Sequence, residues 1–124
     1  MGRPLSYSRP RRDLSDTYIA WAAGLFEGEG CISLDGNNYP KLILAMTDGD
    51  VVERFAAVMG DGNIRVTIPK DPKHKPQYRW TKGGKIFVLG VYELFGPYLG
   101  TRRAEKFREV LLASGALTSD DETI

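Results

Sequence analysis

The chain has 124 residues, a formal net charge of +1 and 42% hydrophobic residues. This length fits one domain with a core of its own, and no apolar run approaches the roughly 20 residues that cross a membrane. The single cysteine, Cys31, excludes an internal disulfide and a cysteine-rich zinc site. We therefore expect a reducing, cytoplasmic setting, with Cys31 as a small buried residue.

The charges are distributed unevenly although they nearly cancel. The segment from Arg65 to Lys85 is rich in lysine and arginine and contains a single acid, Asp71. Such a block can neutralise nucleic-acid phosphates, and it is equally typical of a solvated basic hairpin.

Three regions follow from the composition along the chain. Residues 1–13 combine prolines and arginines without periodicity and predict an irregular basic arm. Residues 14–115 contain no internal linker and predict one folded domain. Residues 116–124 end in acids and predict a frayed tail.

The first half of that domain predicts a helix, a hairpin and a second helix. Ser15 is a candidate N-cap for a helix over 16–28, which glycines at 28 and 30 would end. The segments 31–36 and 41–46 alternate or run apolar as strands around a turn at 35–38. A helix over 50–60 follows, with Thr47 and Asp50 resembling a capping box.

The second half repeats this order. Residues 63–68 predict a strand with Ile64, Val66 and Ile68 on the inner face. The proline-rich segment 69–76 predicts a loop, and 77–81 a fourth strand. Residues 85–96 predict a helix, although their apolar run also suits a buried strand. A last helix follows over 102–114, with Thr101 as its cap and Gly115 after its end.

The predicted fold class is therefore α+β, in the order αββαββα with one further helix. Each strand pair has one apolar and one polar face. Helices on the apolar face would leave a four-stranded antiparallel sheet with its other side open.

The first helix carries the strongest local pattern. A stripe of small residues, Ala20, Ala23 and Gly24, continues to Glu27. Small side chains let two helix backbones approach closely, either inside one domain or between two copies. The stripe ends in Glu27 and Glu29, and acids are unfavourable at a helix C-terminus. A residue pair that breaks this rule is a functional candidate for Mg²⁺, although a flexible acidic turn explains it as well.

Two segments resemble a known family. AAGLFEGEG, residues 22–30, resembles the nine-residue LAGLIDADG motif of homing endonucleases, and PYLGTRRAEKF, residues 97–107, resembles the start of that family's last helix. The resemblance implies the αββαββα fold over 14–115. It also implies a homodimer, encoded by a mobile genetic element, that binds a near-palindromic double-stranded DNA target and hydrolyses both strands with Mg²⁺ or Mn²⁺.

The resemblance also assigns roles to individual positions. It implies that Glu29 binds metal, with Gly28 as a further metal position, and that Asp48 positions solvent around the metal. The basic position near the scissile phosphate falls on Arg102, with Arg103 as its competitor. The dimer interface would comprise Ala20, Ala23, Gly24 and Glu27. The family commonly has aspartate as the metal ligand and lysine as the basic residue, so this chain departs from it at both positions.

The open face of the sheet should lie on DNA, because a two-stranded ribbon fits the major groove. Strand alternation predicts that its groove-facing residues are Ser33, Asp35, Asn37, Lys41, Arg65, Thr67, Gln77, Arg79 and Thr81. Four lysines should meet phosphates instead: Lys70, Lys73, Lys75 and Lys82. Three alternatives stay open: a non-cleaving DNA-binding regulator, an RNA-splicing maturase, and an unrelated α+β interaction domain.

Overall fold

The computed structural model describes residues 9–10 and 14–119. Most of the predicted basic arm, and the acidic end over 120–124, lie outside the described residues. Packing continues beyond the predicted domain end at Gly115, because Leu117 contacts the core and its N–H donates to the carbonyl of Leu111 at 3.2 Å. Across the described part of the chain, no helix is both long and apolar enough to cross a bilayer.

The first helix, α1, spans Asp16–Glu29, with Ser15 at the predicted N-cap position. Its buried side is formed by Ile19, Ala22, Ala23 and Phe26. The helix runs through Gly28 and ends one residue later than the glycines suggested, because only Gly30 adopts an extended conformation.

A hairpin follows, formed by strand β1 (Gly30–Asp35) and strand β2 (Tyr39–Met46). The short 3-10 turn between them, Gly36–Asn38, has Asn37 at φ 63° and Asn38 at φ 56°. Asparagine tolerates this left-handed region better than most residues, which explains why the tight connection carries two of them.

Helix α2 spans Gly49–Met59. The predicted capping box at Thr47 is wrong, because Asp48 occupies the N-cap position and its carbonyl accepts the N–H groups of Val51 and Val52. The helix ends at Gly60, whose left-handed φ of 79° suits a glycine C-cap.

The second half of the chain adds strands β3 (Asn63–Thr67) and β4 (Gln77–Gly83), then helices α3 (Lys85–Phe95) and α4 (Thr101–Ser114). The alternative of a buried strand at α3 is therefore excluded. Gly100, and not Thr101, is the N-cap of α4, while Gly115 closes it at φ 83° as predicted.

All three strand pairings are antiparallel, and the sheet order is β1-β2-β4-β3. The helices pack on one face, around a fully buried cluster of Phe26, Phe55, Trp80, Phe95 and Phe107. Phe26 lies at its centre, with ring centroids 5.7–6.3 Å from those of three other phenylalanines. The predicted α+β fold, with a four-stranded antiparallel sheet covered on one face, is confirmed.

Two burial predictions are wrong. Ile64 and Val66 are on the helix side of the sheet yet stay 37% and 50% exposed, and Ile68 is 78% exposed. They stay exposed because β3 is an edge strand, and α2, which contacts it, covers this face only in part. Cys31 pairs in register with Ile43 on the other face of the sheet and is exposed.

Candidate active site and nucleic-acid surface

The end of α1 presents an exposed acid, Glu29. Within the described residues no hydrogen bond or ion pair involves its carboxylate. The next residue must be a glycine while Phe26 stays in place, because a Cβ on Gly30 would clash with the Phe26 ring. Gly28 is also exposed, and its carbonyl is among the last four of the helix, which lack intrahelical partners. Both predicted metal positions therefore lie at an exposed helix end.

Asp48 lies at the same end of the sheet. Gly30 pairs with Leu44 in the β1–β2 register, so the end of α1 and the end of β2 are neighbours, and Asp48 follows β2 directly. Its carboxylate is exposed and makes no capping hydrogen bond, although its backbone caps α2. Helix capping therefore does not account for an acidic side chain at this position.

The residue after Asp48, Gly49, packs closely against the ring of Tyr78. A Cβ on Gly49 would meet the ring of Tyr78 at 2.5 Å, so the first residue of α2 must be a glycine while that ring stays in place. Tyr78 faces the helices and lies in β4 opposite Met46.

The two arginines at the start of α4 differ in their surroundings. Arg102 is exposed, and its guanidinium has no partner among the described residues. Arg103 is largely buried, donates from Nη2 to the Glu27 carbonyl at 3.0 Å, and lies 5.9 Å from the Phe26 ring centroid. Of the two candidates for the basic position, only Arg102 has a guanidinium available to a ligand.

Glu27 lies two residues from Glu29 but points elsewhere. Its Oε1 accepts the N–H of Gly100 at 3.1 Å, and its Oε2 is 3.9 Å from Nε of Arg103. The carboxylate expected at a dimer interface is therefore engaged with α4 of its own chain.

The remaining predicted interface residues separate into two groups. Ala23 is fully buried in the core of the chain, so its side chain is not available to a second copy. Gly24 is exposed, and a Cβ there would meet nothing within 4 Å. Ala20, one turn earlier, is half-buried. The accessible stripe therefore consists of Ala20, Gly24 and Gly28, whereas the predicted stripe included Ala23 and Glu27.

The described residues of one chain do not bring a complete set of metal ligands together. Within the part of the chain that the structure describes, no group of three or more histidine, cysteine, aspartate or glutamate side chains converges closely enough to hold an ion. The donors that are available, Glu29 and Asp48, are nevertheless hard carboxylate oxygens, which Mg²⁺ and Mn²⁺ prefer. The donor chemistry fits such an ion, and further ligands would have to come from a second copy, a nucleic acid or water.

The uncovered face of the sheet carries the polar residues that alternation predicted, together with Cys31, Ile43 and Ala45. The register places these side chains together on it: Ser33, Asp35, Lys41, Arg65, Thr67, Gln77, Arg79 and Thr81. Asn37 lies beyond the strands in the hairpin turn. Lys41 forms an ion pair of 3.6 Å with Asp35.

A like-charge pair lies within this face. Arg65 and Arg79 are direct cross-strand partners, and both are exposed. Like charges opposite each other destabilise a sheet, so this pair favours a polyanion as the ligand that would compensate it. The two arginines line a surface depression together with Lys41, Asn63 and Thr81.

Asn63 is on this face and was missed by the sequence analysis. It pairs with Thr81, two residues before Arg65 in β3. Extending the alternation back from Arg65 would have identified it.

The predicted phosphate-binding lysines also separate. Lys70, Lys73 and Lys75 are exposed in the connection between β3 and β4. Lys82 instead lies within β4 opposite Leu42, on the helix side of the sheet. Its Nζ is 3.2 Å from Asp61 and 5.8 Å from the Phe87 ring centroid, so it packs within the fold.

The chain matches no protein-family model and no curated protein sequence. Among solved structures it is similar to the homing endonuclease I-CvuI in complex with its target in the presence of Ca, with a TM-score of 0.62 and 19% identity over 81% of this chain and 67% of that one. A second I-CvuI structure, in complex with the I-CreI target in the presence of Mg and with the DNA not cleaved, gives a TM-score of 0.61 and 18% identity over 86% and 72%. At these identities the likeness shows that this chain shares the fold of I-CvuI.

Proposed function

We propose that this protein is a LAGLIDADG-type homing endonuclease, which binds a near-palindromic double-stranded DNA site as a homodimer and hydrolyses both strands with Mg²⁺ or Mn²⁺. The observation that carries the proposal is the carboxylate of Glu29, which has no partner among the described residues and ends the motif helix where the chain enters a sheet whose open face carries two opposed arginines. The shared fold with an endonuclease solved on its DNA target supports the same reading.

Glu29, Asp48 and Arg102 would have different roles in the reaction. Glu29, with Asp48 nearby and the Gly28 carbonyl beside it, would hold the divalent ion. When bound, such an ion supplies charge stabilisation at the scissile phosphate and activates water. Asp48 would orient that water, since its carboxylate is not used for capping. Arg102 would stabilise charge on the phosphate, because a guanidinium stays protonated and cannot transfer a proton.

Homodimerisation is part of the proposal because the chain carries a single copy of the motif, over residues 22–30. The exposed side of α1, along Ala20, Gly24 and Gly28, lets two helix backbones approach closely. Two copies paired there would bring both Glu29 side chains close to one two-fold axis, which is what a cut in each strand of a symmetric site requires.

The test uses Glu29→Gln, which keeps the shape of the side chain and removes its charge. A target is first selected from a random-sequence plasmid library with the wild-type chain and Mg²⁺ or Mn²⁺. On that target we expect Glu29→Gln to bind with at least wild-type affinity in gel shifts but to leave plasmid uncut. Glu53→Gln, which changes another exposed helical glutamate, is the control and should cut normally.

Two results would contradict the proposal. Cutting by Glu29→Gln at the wild-type rate would remove the metal role from this residue. If the wild-type chain binds DNA tightly and site-specifically but does not cut it with either metal, the protein is a DNA-binding regulator. If it prefers folded RNA to DNA, the protein is a maturase.

A further inference from the structure

The end of α1 and the start of α4 are joined by a reciprocal set of polar contacts. The Glu27 carboxylate accepts the Gly100 N–H at 3.1 Å, while the Arg103 guanidinium donates to the Glu27 carbonyl at 3.0 Å. Glu27 and Arg103 also form an ion pair, with 3.9 Å between Oε2 and Nε. We call the contacts among Glu27, Gly100 and Arg103 the α1–α4 clamp.

Each helix obtains from the other the charge that its own end lacks. The last turn of α1 contains no basic residue, and the first turn of α4 contains no acidic residue. A helix C-terminus favours a cation and an N-terminus favours an anion. Arg103 therefore serves the C-terminus of α1, and Glu27 serves the N-terminus of α4, across a sequence separation that makes the contact purely tertiary.

The close approach depends on a glycine. A Cβ on Gly100 would be only 2.5 Å from Oε1 of Glu27, so any other residue at this N-cap would displace the carboxylate. Arg103 is packed on its other side against the Phe26 ring at 5.9 Å, and its side chain is only 18% exposed. The clamp is therefore anchored in the aromatic core.

Stability alone does not explain the arrangement. The Oε2 atom of Glu27 is buried without a hydrogen bond, and its ion pair with Arg103 is long, at 3.9 Å. A buried carboxylate oxygen that lacks a hydrogen bond is costly. A neutral or apolar pair would avoid this cost. The cost is tolerable if the clamp serves the site beside it.

On each helix, the clamp residues are close in sequence to a residue of the proposed active site. Glu29 follows Glu27 by two residues on α1, and Arg102 lies between Gly100 and Arg103 on α4. We infer that Glu27 and Arg103 are positioning residues. They fix the position of Arg102 relative to Glu29, so that the basic and acidic groups act on the same phosphate. This inference rests on the proposed function for its chemistry, but the clamp itself is testable without DNA.

The first experiment measures amide hydrogen exchange by NMR in the wild-type chain, in Glu27→Ala and in Arg103→Gln. Loss of the clamp should accelerate exchange at Gly100 and through the first turn of α4, while exchange in the central strands β2 and β4 stays unchanged. Glu109→Ala, which removes an exposed acid two turns further along α4, is the control. Unchanged exchange at Gly100 in Glu27→Ala would overturn the clamp, whether or not the protein cuts DNA.

The second experiment measures single-turnover cutting on the selected target with saturating protein. We expect Glu27→Ala to cut about tenfold to a hundredfold more slowly with an unchanged Kd, because misplacement of a reacting group by about 1 Å costs that much. Glu27→Gln keeps an acceptor for the Gly100 N–H and should recover part of the rate.

A double-mutant cycle separates positioning from general destabilisation. If Glu27 acts through Arg102, then Glu27→Ala should slow cutting much less in a chain that already carries Arg102→Ala. Full additivity of the two changes, or a wild-type rate in Glu27→Ala, would overturn the positioning role. Absence of cutting by the wild-type chain would instead contradict the proposed function and leave the exchange measurement to decide on the clamp.

Discussion

Gly30 illustrates how a single residue shapes the candidate site. The chain must turn from helix to strand directly beneath Glu29, and the buried Phe26 ring occupies the space where any side chain at position 30 would project. The backbone at Gly30 has an ordinary extended conformation, with φ −82°. The glycine is therefore required by packing and not by backbone strain.

The first residue-scale prediction concerns Gly30→Ala. Phe26 is surrounded by other aromatic rings and cannot move freely, so the added methyl group should overpack the core. We expect a loss of about 1–3 kcal/mol in the free energy of unfolding, measured by urea denaturation. Gly36→Ala is the control, because nothing lies within 4 Å of its added Cβ. Equal stability of the two variants would show that the Phe26 contact is not restrictive.

Of the two glutamates of the motif, the sequence predicted different roles but not the contacts of Glu27. The resemblance separated a metal acid at Glu29 from a structural acid at Glu27. It placed Glu27 between two copies, whereas the structure pairs it with Gly100 and Arg103 of its own chain. No local pattern links residues 27 and 103, since the contact exists only once α4 packs against α1.

Among the elements, the β3–β4 hairpin departs most from what stability would favour. Arg65 and Arg79 oppose each other on the uncovered face, and Ile64 and Val66 stay exposed on the other face. Strand β3 has a neighbour on one side only. Strand β3 thus buries little apolar surface, and the hairpin carries repulsion that a bound polyanion would relieve.

The second prediction follows from this repulsion. Arg65→Thr replaces one arginine by a good strand former, so the free protein should gain about 0.2–1 kcal/mol in stability. The same change should weaken binding by roughly 1–3 kcal/mol at particular base pairs and little at others. Thermal melting and binding to a set of single-base target variants measure both effects. A variant that loses stability and affinity together would contradict the assignment of Arg65 to ligand binding.

The third prediction separates the lysines of the same hairpin. Lys73 is exposed in the loop, whereas Lys82 is 18% exposed and pairs with Asp61. Lys73→Met should lower the slope of log K against log[salt] by about 0.9, as expected for one lost phosphate contact. Lys82→Met should leave that slope unchanged and alter only the melting temperature. A reduced slope for Lys82→Met would show that this lysine contacts DNA phosphates after all.

The period-two pattern explains both the success and the error in this hairpin. Alternation assigned Arg65, Thr67, Gln77 and Arg79 to one face correctly, because the apolar residues between them made the period visible. The fourth strand was ended at Thr81, so Lys82 was treated as a loop residue. Continuing the alternation by one step places Lys82 on the face of Trp80, where the structure has it.

For the whole molecule, the order of helices and strands and the one-sided sheet were predictable because each amphipathic segment admits few layer arrangements. Burial at the margins was not predictable, since it depends on how far each helix extends. Ile64 is exposed because α2, which contacts the edge strand β3, leaves its helix-side face partly uncovered, and Ala23 is buried because α1 contacts α2 and α3. The faces of α1 could therefore be assigned only after the helix was packed.

The last prediction tests whether the free face of α1 joins two copies. Because a Cβ at Gly24 meets nothing within 4 Å, Gly24→Leu should fold as well as the wild-type chain and should gain helix propensity. The leucine would project from the accessible stripe and separate two helices whose backbones pack there. Sedimentation velocity should therefore show a dimer for the wild-type chain and a folded monomer for Gly24→Leu, with cutting of the selected target lost. Ala113→Leu, at an exposed position on α4, is the control and should remain dimeric. A Gly24→Leu dimer with normal cutting would mean that the two copies meet elsewhere, and that the two Glu29 side chains are brought together by a different surface.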